Sequence, residues 1–317
     1  MQVGRSNNTN KEVVMLTSIR GLTAATLSVG ALVTAAPAFA ETAENNGAIS
    51  EELIAASAAL DNNGAEGAEI VLSTQTASSI DRASEPVAVT ANKMAGESGL
   101  TFSANVALTS EYRFRGVDLS GGELAVQGGF DVSHSSGFYV GTWASNLDED
   151  TVGYGSLELD LYGGWSGNVA EAVSVDVGFI AYTYPDAPAG DFDYYEFYGS
   201  LGFSLGPASA TTGIAYAPGQ DGLDFGGGTD DNLYLYTDLS VGIPNTPISI
   251  DGHLGYTDGS LTFTNDGEAF DWSIGASVGL GGNFSASVAY VEAEGNFLPG
   301  QYDFTDATVV ATLSASF

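Results

Sequence analysis

The chain contains no cysteine. Disulfide frameworks and thiolate metal sites are therefore excluded. Only two histidines occur in 317 residues, which leaves little material for an imidazole-based metal centre. Basic residues are scarce as well: 7 Lys plus Arg stand against 40 Asp plus Glu, for a formal net charge of -33. That balance excludes nucleic acid as a partner, because such binding depends on Lys and Arg neutralising phosphates. After the N-terminal region no run reaches the ~18 to 20 apolar residues that a spanning helix needs. Yet only 15% of residues are charged, so this is not a solvated acidic tail. Middling hydropathy without spanning helices is the signature of strands that average an apolar and a polar face, as in a membrane barrel.

What is present begins with a targeting pattern. Arg5, Lys11 and Arg20 precede an apolar run over residues 21–36, followed by Pro37-Ala38-Phe39-Ala40. Basic flank, short apolar stretch and small-residue site predict a secretory signal peptide over residues 1–40, cut after Ala40. Met15 offers an alternative start that would give a leader of more ordinary length. The cut site carries no cysteine, so a lipoprotein is excluded. Residues 41–100 are rich in Ala, Asn, Glu, Ser and Thr and hold no sustained period. They read as a disordered periplasmic segment.

From Thr101 onward the sequence alternates with period two, and twelve strands can be placed. The first is expected from Phe102 to Arg115, with Phe102, Ala104, Val106, Leu108, Tyr112 and Phe114 on one face. The fourth sets Leu157, Leu159, Leu161 and Trp165 opposite Glu158, Asp160 and Tyr162. The tenth sets Phe270, Trp272 and Ile274 opposite Asp271 and Ser273. The strand from Phe138 to Asn146 has aromatics on both faces, and its sides stay unassigned. Connections alternate in length. Short turns are expected at 134–137, 166–168, 206–207, 244–247 and 281–282, with longer loops between them. Short turns on one rim and long loops on the other predict a twelve-stranded antiparallel transmembrane barrel, all-β, with the turns periplasmic. The in-out contrast further predicts no second apolar layer inside. Tyr112, Phe114, Tyr216, Tyr256 and Tyr290 are expected as an aromatic girdle at the loop end. Trp165, Phe203, Phe284 and Phe317 are expected at the turn end.

Several motifs resemble a known family. Residues 107–116 (ALTSEYRFRG), 127–130 (QGGF), 137–146 (GFYVGTWASN), 157–164 (LELDLYGG) and 182–185 (YTYP) are similar, in order, to the TorF-type porins. That proteobacterial family is of unknown function. The resemblance covers roughly residues 101–317 and implies an outer-membrane barrel presumed to be a channel. It implies little about substrate. The final alternating strand, closing on Phe317, resembles the sorting signal that outer-membrane barrels present to their assembly machinery.

The inward face is expected to carry the chemistry. Glu111, Asp131, Glu158, Asp160, Asp176, Glu196, Asp238, Asp251 and Asp271 are candidate pore-lining carboxylates, joined by Arg113, Arg115 and His253. Arg113 and Arg115 are the only basic residues from position 101 onward. Acidic groups in a watery bore favour cations and repel anions. The two arginines either set a transverse field at a constriction or neutralise carboxylates and brace the interior. Tyr162, Tyr194, Tyr198, Tyr234 and Tyr236 also read as lumenal. Loop carboxylates at 148–150, 221, 224, 230–231, 266 and 268 are solvated charge or divalent-cation ligands. Catalysis finds no support: His134 lies in a turn, and His253 has no nucleophile that sequence places beside it. No cofactor and no metal are expected. The expected function is passive diffusion of small hydrophilic solutes across the outer membrane of a Gram-negative bacterium, with cations preferred. The alternative is a closed structural or adhesive barrel with acidic, cation-binding loops. Expected partners are outer-membrane lipid and lipopolysaccharide, the barrel-assembly machinery, and small solutes or cations.

Overall fold

The computed structural model describes residues 99–150, 153–187, 192–226, 230–298 and 301–317. The signal peptide and nearly all of the 41–100 segment lie outside the described residues. Fourteen strands follow in chain order. They are β1 (Leu100–Thr109), β2 (Arg113–Phe114), β3 (Val117–Asp118), β4 (Ala125–His134), β5 (Phe138–Asn146), β6 (Leu157–Ala170) and β7 (Val173–Thr183). Then come β8 (Tyr194–Leu205), β9 (Ala208–Ala217), β10 (Asn232–Gly242), β11 (Ile248–Gly259), β12 (Glu268–Gly281), β13 (Phe284–Ala293) and β14 (Thr308–Ser316). Apart from β2 and β3, which pair only with each other, every strand pairs with its neighbours in one closed barrel of twelve.

Closure runs through β1 and β14, in register from Asn105 with Ser316 to Thr109 with Thr312. Beyond the first of these pairs, Ala104 and Phe317 exchange both backbone hydrogen bonds, at 3.0 and 2.8 Å. A closed ladder leaves no bare edge, as a strand sheet in lipid requires.

Alternation decides what faces out. On β1, Phe102, Val106 and Leu108 are exposed while Asn105, Ala107 and Thr109 are buried. On β12, Phe270, Trp272 and Ile274 are exposed while Asp271, Ser273 and Ser277 are buried. Val309, Leu313 and Phe317 continue the apolar exterior around the seam. An apolar band of this extent is far larger than a water-facing surface tolerates, and it is the exterior of a membrane-spanning barrel. The side assignment that the sequence leaves open on β5 is now fixed. Phe138 and Val140 point out, and Tyr139 and the buried Trp143 point in.

The two rims differ as expected. Short connections join β4 to β5, β6 to β7, β8 to β9, β10 to β11 and β12 to β13, and the other connections are longer. One turn is displaced. β6 continues through 166–168 to Ala170, with a register shift between Asn168 and Ala170, so the turn is at 171–172.

The larger correction concerns the first strand. It ends at Thr109 rather than Arg115. The chain then folds inward, and β2 and β3 form a small hairpin within residues 110–124. Tyr112 and Phe114 are therefore buried, and they do not join the loop-end girdle. They help form an apolar cluster with Leu119, Trp143, Ile180, Tyr182, Tyr194 and Leu223. Trp143, Ile180, Tyr182 and Tyr194 come from inward positions of β5, β7 and β8, so a second apolar layer does lie inside, at the loop end. The physical reason is that inward aromatic residues at that end find apolar partners on the hairpin instead of water.

Candidate functional site

The hairpin is the centre of the inward chemistry. Its tip is the two-residue connection Arg115-Gly116, and both residues have positive φ, at 50° and 75°. Two successive residues of this kind make the turn that best matches the twist of a tight β-hairpin. Gly116 suits its place twice over, since a Cβ there would strike Ala293. Arg115 does not suit the backbone: a left-handed conformation costs a residue with a Cβ roughly 1–2 kcal/mol. Something must hold it there.

Three contacts do. The Arg115 Nη2 donates to Glu196 Oε2 of β8 at 2.7 Å, with both side chains almost fully buried. Its guanidinium carbon lies 4.2 Å from the ring centroid of Tyr234 on β10 and 4.7 Å from that of Phe114. Cation–π contacts of this kind strengthen when desolvated. Arg113 braces the hairpin on its other side. It pairs with Glu111, and its Nη1 donates to the carbonyls of Gly116, Phe304 and Asp306 at 3.0 to 3.1 Å. The hydroxyl of Tyr302 donates to Asp118 at 2.6 Å. Tyr302 lies in the 294–307 connection, where burial and the Asp118 carboxylate raise its pKa. Tyr112 meets Trp143 edge-on at 5.4 Å, and Phe114 meets Tyr182 at 5.6 Å. The arginines thus neutralise carboxylates and hold the interior together.

The barrel wall contributes the remaining candidates. Asp131 sits on β4, Glu158 and Asp160 on β6, Asp176 on β7, Glu196 on β8, Asp238 on β10, Asp251 and His253 on β11, and Asp271 on β12. Asp131, Glu158, Asp160, Glu196, Asp251, His253 and Asp271 are buried on the inward side, and Asp176 is half-buried. Structure divides them into separate groups. Arg115 neighbours Glu196, and Glu158 and Asp160 share the buried face of β6. Tyr162 donates to Asp131, and Tyr139 donates to Asp176 at 2.6 Å. His253 bridges Asp238 at 2.6 Å and Asp271 at 2.9 Å, with the Tyr234 hydroxyl at 2.8 Å. Asp251 stands apart and accepts from Ser240 and Ser277 at 2.7 and 2.8 Å.

Register explains how so many tyrosines fit a narrow bore. Tyr162 pairs across strands with Gly141, Tyr198 with Gly178, and Tyr236 with Gly213. At each of these glycines a Cβ would collide with the partner's ring. The rings therefore lie over bare backbone, against the wall rather than across the lumen. Aromatic cover of a strand glycine also restores packing that the missing side chain forfeits.

Three inward residues escaped sequence reasoning. Tyr139 and Trp143 were hidden by the aromatics on both faces of β5. Tyr182 shares parity with Asp176 on β7, a signal that would have placed it inward. At the loop rim, several carboxylates serve local turns. Asp224 accepts the N–H of Gly226 at 3.0 Å, and Asp186 accepts the backbone N–H and the hydroxyl of Ser156. The Ser156 hydrogen bonds hold the Asp186 carboxyl below the usual range. Among the described residues no group of His, Asp and Glu is arranged to hold a metal ion. His134 is the last residue of β4 rather than part of the turn, and it is 2.7 Å from the Ser136 hydroxyl.

A family model described as "Bacterial protein of unknown function (Gcw_chp)" matches residues 93–317. A search of curated proteins found no match. Among solved structures, the KdgM porin is 8% identical, with a TM-score of 0.46 over 68% of this chain and 98% of that one. The NanC porin is 10% identical, with a TM-score of 0.47 over the same shares. Pseudomonas aeruginosa OccK5 (OpdH) is 16% identical, with a TM-score of 0.38 over 69% of this chain and 67% of that one. The TorF-type resemblance extends no further than the motifs that carry it.

Proposed function

The chain belongs to the Gcw_chp family, whose description assigns no function, and from the barrel itself we propose an outer-membrane channel for passive diffusion of small hydrophilic solutes, with cations preferred. One observation carries the reading: a closed barrel that is apolar outside holds a carboxylate-rich inward face. An apolar exterior needs lipid, and inward carboxylates need water or cations. Arg113 and Arg115 offset only part of that inward charge. The residues proposed to line the path are Asp131, Glu158, Asp160, Asp176, Glu196, Asp238, Asp251, His253 and Asp271, with Glu111, Arg113 and Arg115 at the hairpin. Export by a cleaved signal peptide, recognition of Phe317 by the assembly machinery, and contact of the loops with lipopolysaccharide complete the proposal. Phe317 is exposed on the apolar exterior, which suits such recognition.

The hairpin favours a second reading, a closed structural or adhesive barrel, because its aromatic residues fill the interior at the loop end. Reversal potential in a planar bilayer under a salt gradient separates the two. The channel reading expects current steps and a cation-selective potential. Absence of current from the inserted protein, both intact and with the hairpin shortened, would favour the closed barrel.

A further inference from the structure

Arg115 is the guanidinium that the interior holds. Its guanidinium receives a carboxylate oxygen from Glu196 and the face of Tyr234, while its backbone stays in a left-handed turn that glycine or asparagine would occupy at less cost. The surrounding belt is richer in carboxylate than this one cation requires. Glu158 Oε2, Asp160 Oδ1 and Glu196 Oε1 are buried and have no hydrogen-bond partner among the described residues. The same is true of Nε and Nη1 of Arg115 itself. Glu158 and Asp160 share one face of β6; Asp160 pairs across strands with Tyr182 of β7, whose hydroxyl donates to Glu196 Oε2 of β8 at 3.2 Å.

We infer that the belt formed by Glu158, Asp160, Glu196 and the Tyr234 ring is a binding station for guanidinium-type organic cations, in which Arg115 is the tethered occupant. A planar, weakly hydrated cation gains from both partners at once, a carboxylate oxygen at its edge and an aromatic face on its plane. A small inorganic ion gains only from the first. Where Arg115 is absent, a diffusible guanidinium takes its place. The inference deepens the cation-channel proposal and rests on it for transport, but binding at the belt is testable without conductance.

The test uses the full mature protein in detergent micelles with Arg115→Gly, which removes the guanidinium and relieves the left-handed backbone. Guanidinium chloride or sodium chloride is supplied at equal, millimolar concentration, far below denaturing levels. The expected result is a melting midpoint about 3 °C higher in guanidinium than in sodium, no such difference for the unaltered protein, and loss of the difference in Arg115→Gly with Glu196→Gln. Equal midpoints for Arg115→Gly in the two salts would overturn the station. If that variant refolds poorly, the refolded fraction is read in the same salts: higher recovery in guanidinium supports the station, and equal recovery overturns it. Bilayer recordings of Arg115→Gly separate the two claims. Cation-selective current without block by millimolar guanidinium leaves the channel standing and removes the station. Guanidinium-dependent melting without any current does the reverse.

Discussion

In the loop-side half of the β5–β8 wall, Glu158, Asp160, Tyr182, Tyr194 and Glu196 are buried. In the turn-side half of the same strands, Tyr139, Ser174, Asp176, Tyr198 and Ser200 keep part of their surface open. The two halves share one chemistry, tyrosine hydroxyls and carboxylates, and even one packing device, a ring laid over a glycine. What differs is residues 110–124. They enter the loop-side half and pack Tyr112, Phe114 and Arg115 against it. In the β5–β8 wall, burial of the inward groups follows the inserted hairpin. On the proposed function, the turn-side half of this wall is the part of the interior that water reaches.

The largest effect should come from removing the inserted piece. Replacing residues 111–122 by a short Gly/Ser link is expected to raise single-channel conductance several-fold while keeping cation preference. Unchanged conductance would mean that the wall closes the bore by itself. Next in size is the anchor. Glu196→Ala leaves Arg115 buried without its carboxylate, a loss of about 3–5 kcal/mol. Thermal unfolding in detergent reads it. Glu196→Gln combined with Arg115→Met should recover much of that loss, and simple additivity of the two single changes would show that they are not coupled.

A smaller effect is expected in the half the hairpin does not reach. Gly178→Val would push the Tyr198 ring off the wall, and with it the 2.5 Å contact to Tyr139. Overpacking of this kind costs about 1–3 kcal/mol. Near-ultraviolet circular dichroism should report displaced tyrosine while Arg115 remains paired. The smallest effect concerns pH. Asp186 is held below the ordinary aspartate range by Ser156. Its link to the 147–156 connection is fully present above the unfolded pKa and is lost as pH falls through the lowered folded one. Ser156→Ala should let the exposed loop loosen at a less acidic pH, as hydrogen exchange of residue 157 would show.

The barrel was largely legible from sequence because a sheet exposed to lipid on one side alternates strictly. Phe102, Val106 and Leu108 or Phe270, Trp272 and Ile274 announce an outward face before any coordinate is known. The wall carboxylates followed from parity alone. The hairpin was not legible, because Glu111, Arg113 and Arg115 against Tyr112 and Phe114 resume the alternation of β1 after a single polar residue, Ser110, on the apolar side. Period two records that neighbouring side chains oppose each other; it does not record whether the apolar side meets lipid or the far wall. The groupings of the interior were hidden for a different reason. Pairing of Tyr198 with Gly178, or of Arg115 with Glu196, depends on register and on contacts far apart in the chain.

Because the chain has no cysteine of its own, single introduced thiols can test the contrast between the two halves directly. Ser200→Cys places a thiol on the turn-side half of the wall, and Ser145→Cys places one in the loop-side half, where Ser145 is buried. The measurement is the rate of labelling of each by a small, water-soluble, cationic thiol reagent in lipid vesicles, with and without residues 111–122. Local closure predicts ready labelling of Ser200→Cys in both backgrounds, and of Ser145→Cys only when the hairpin is shortened. Protection of Ser200→Cys in both backgrounds, or equal labelling of Ser145→Cys with the hairpin in place, would contradict it.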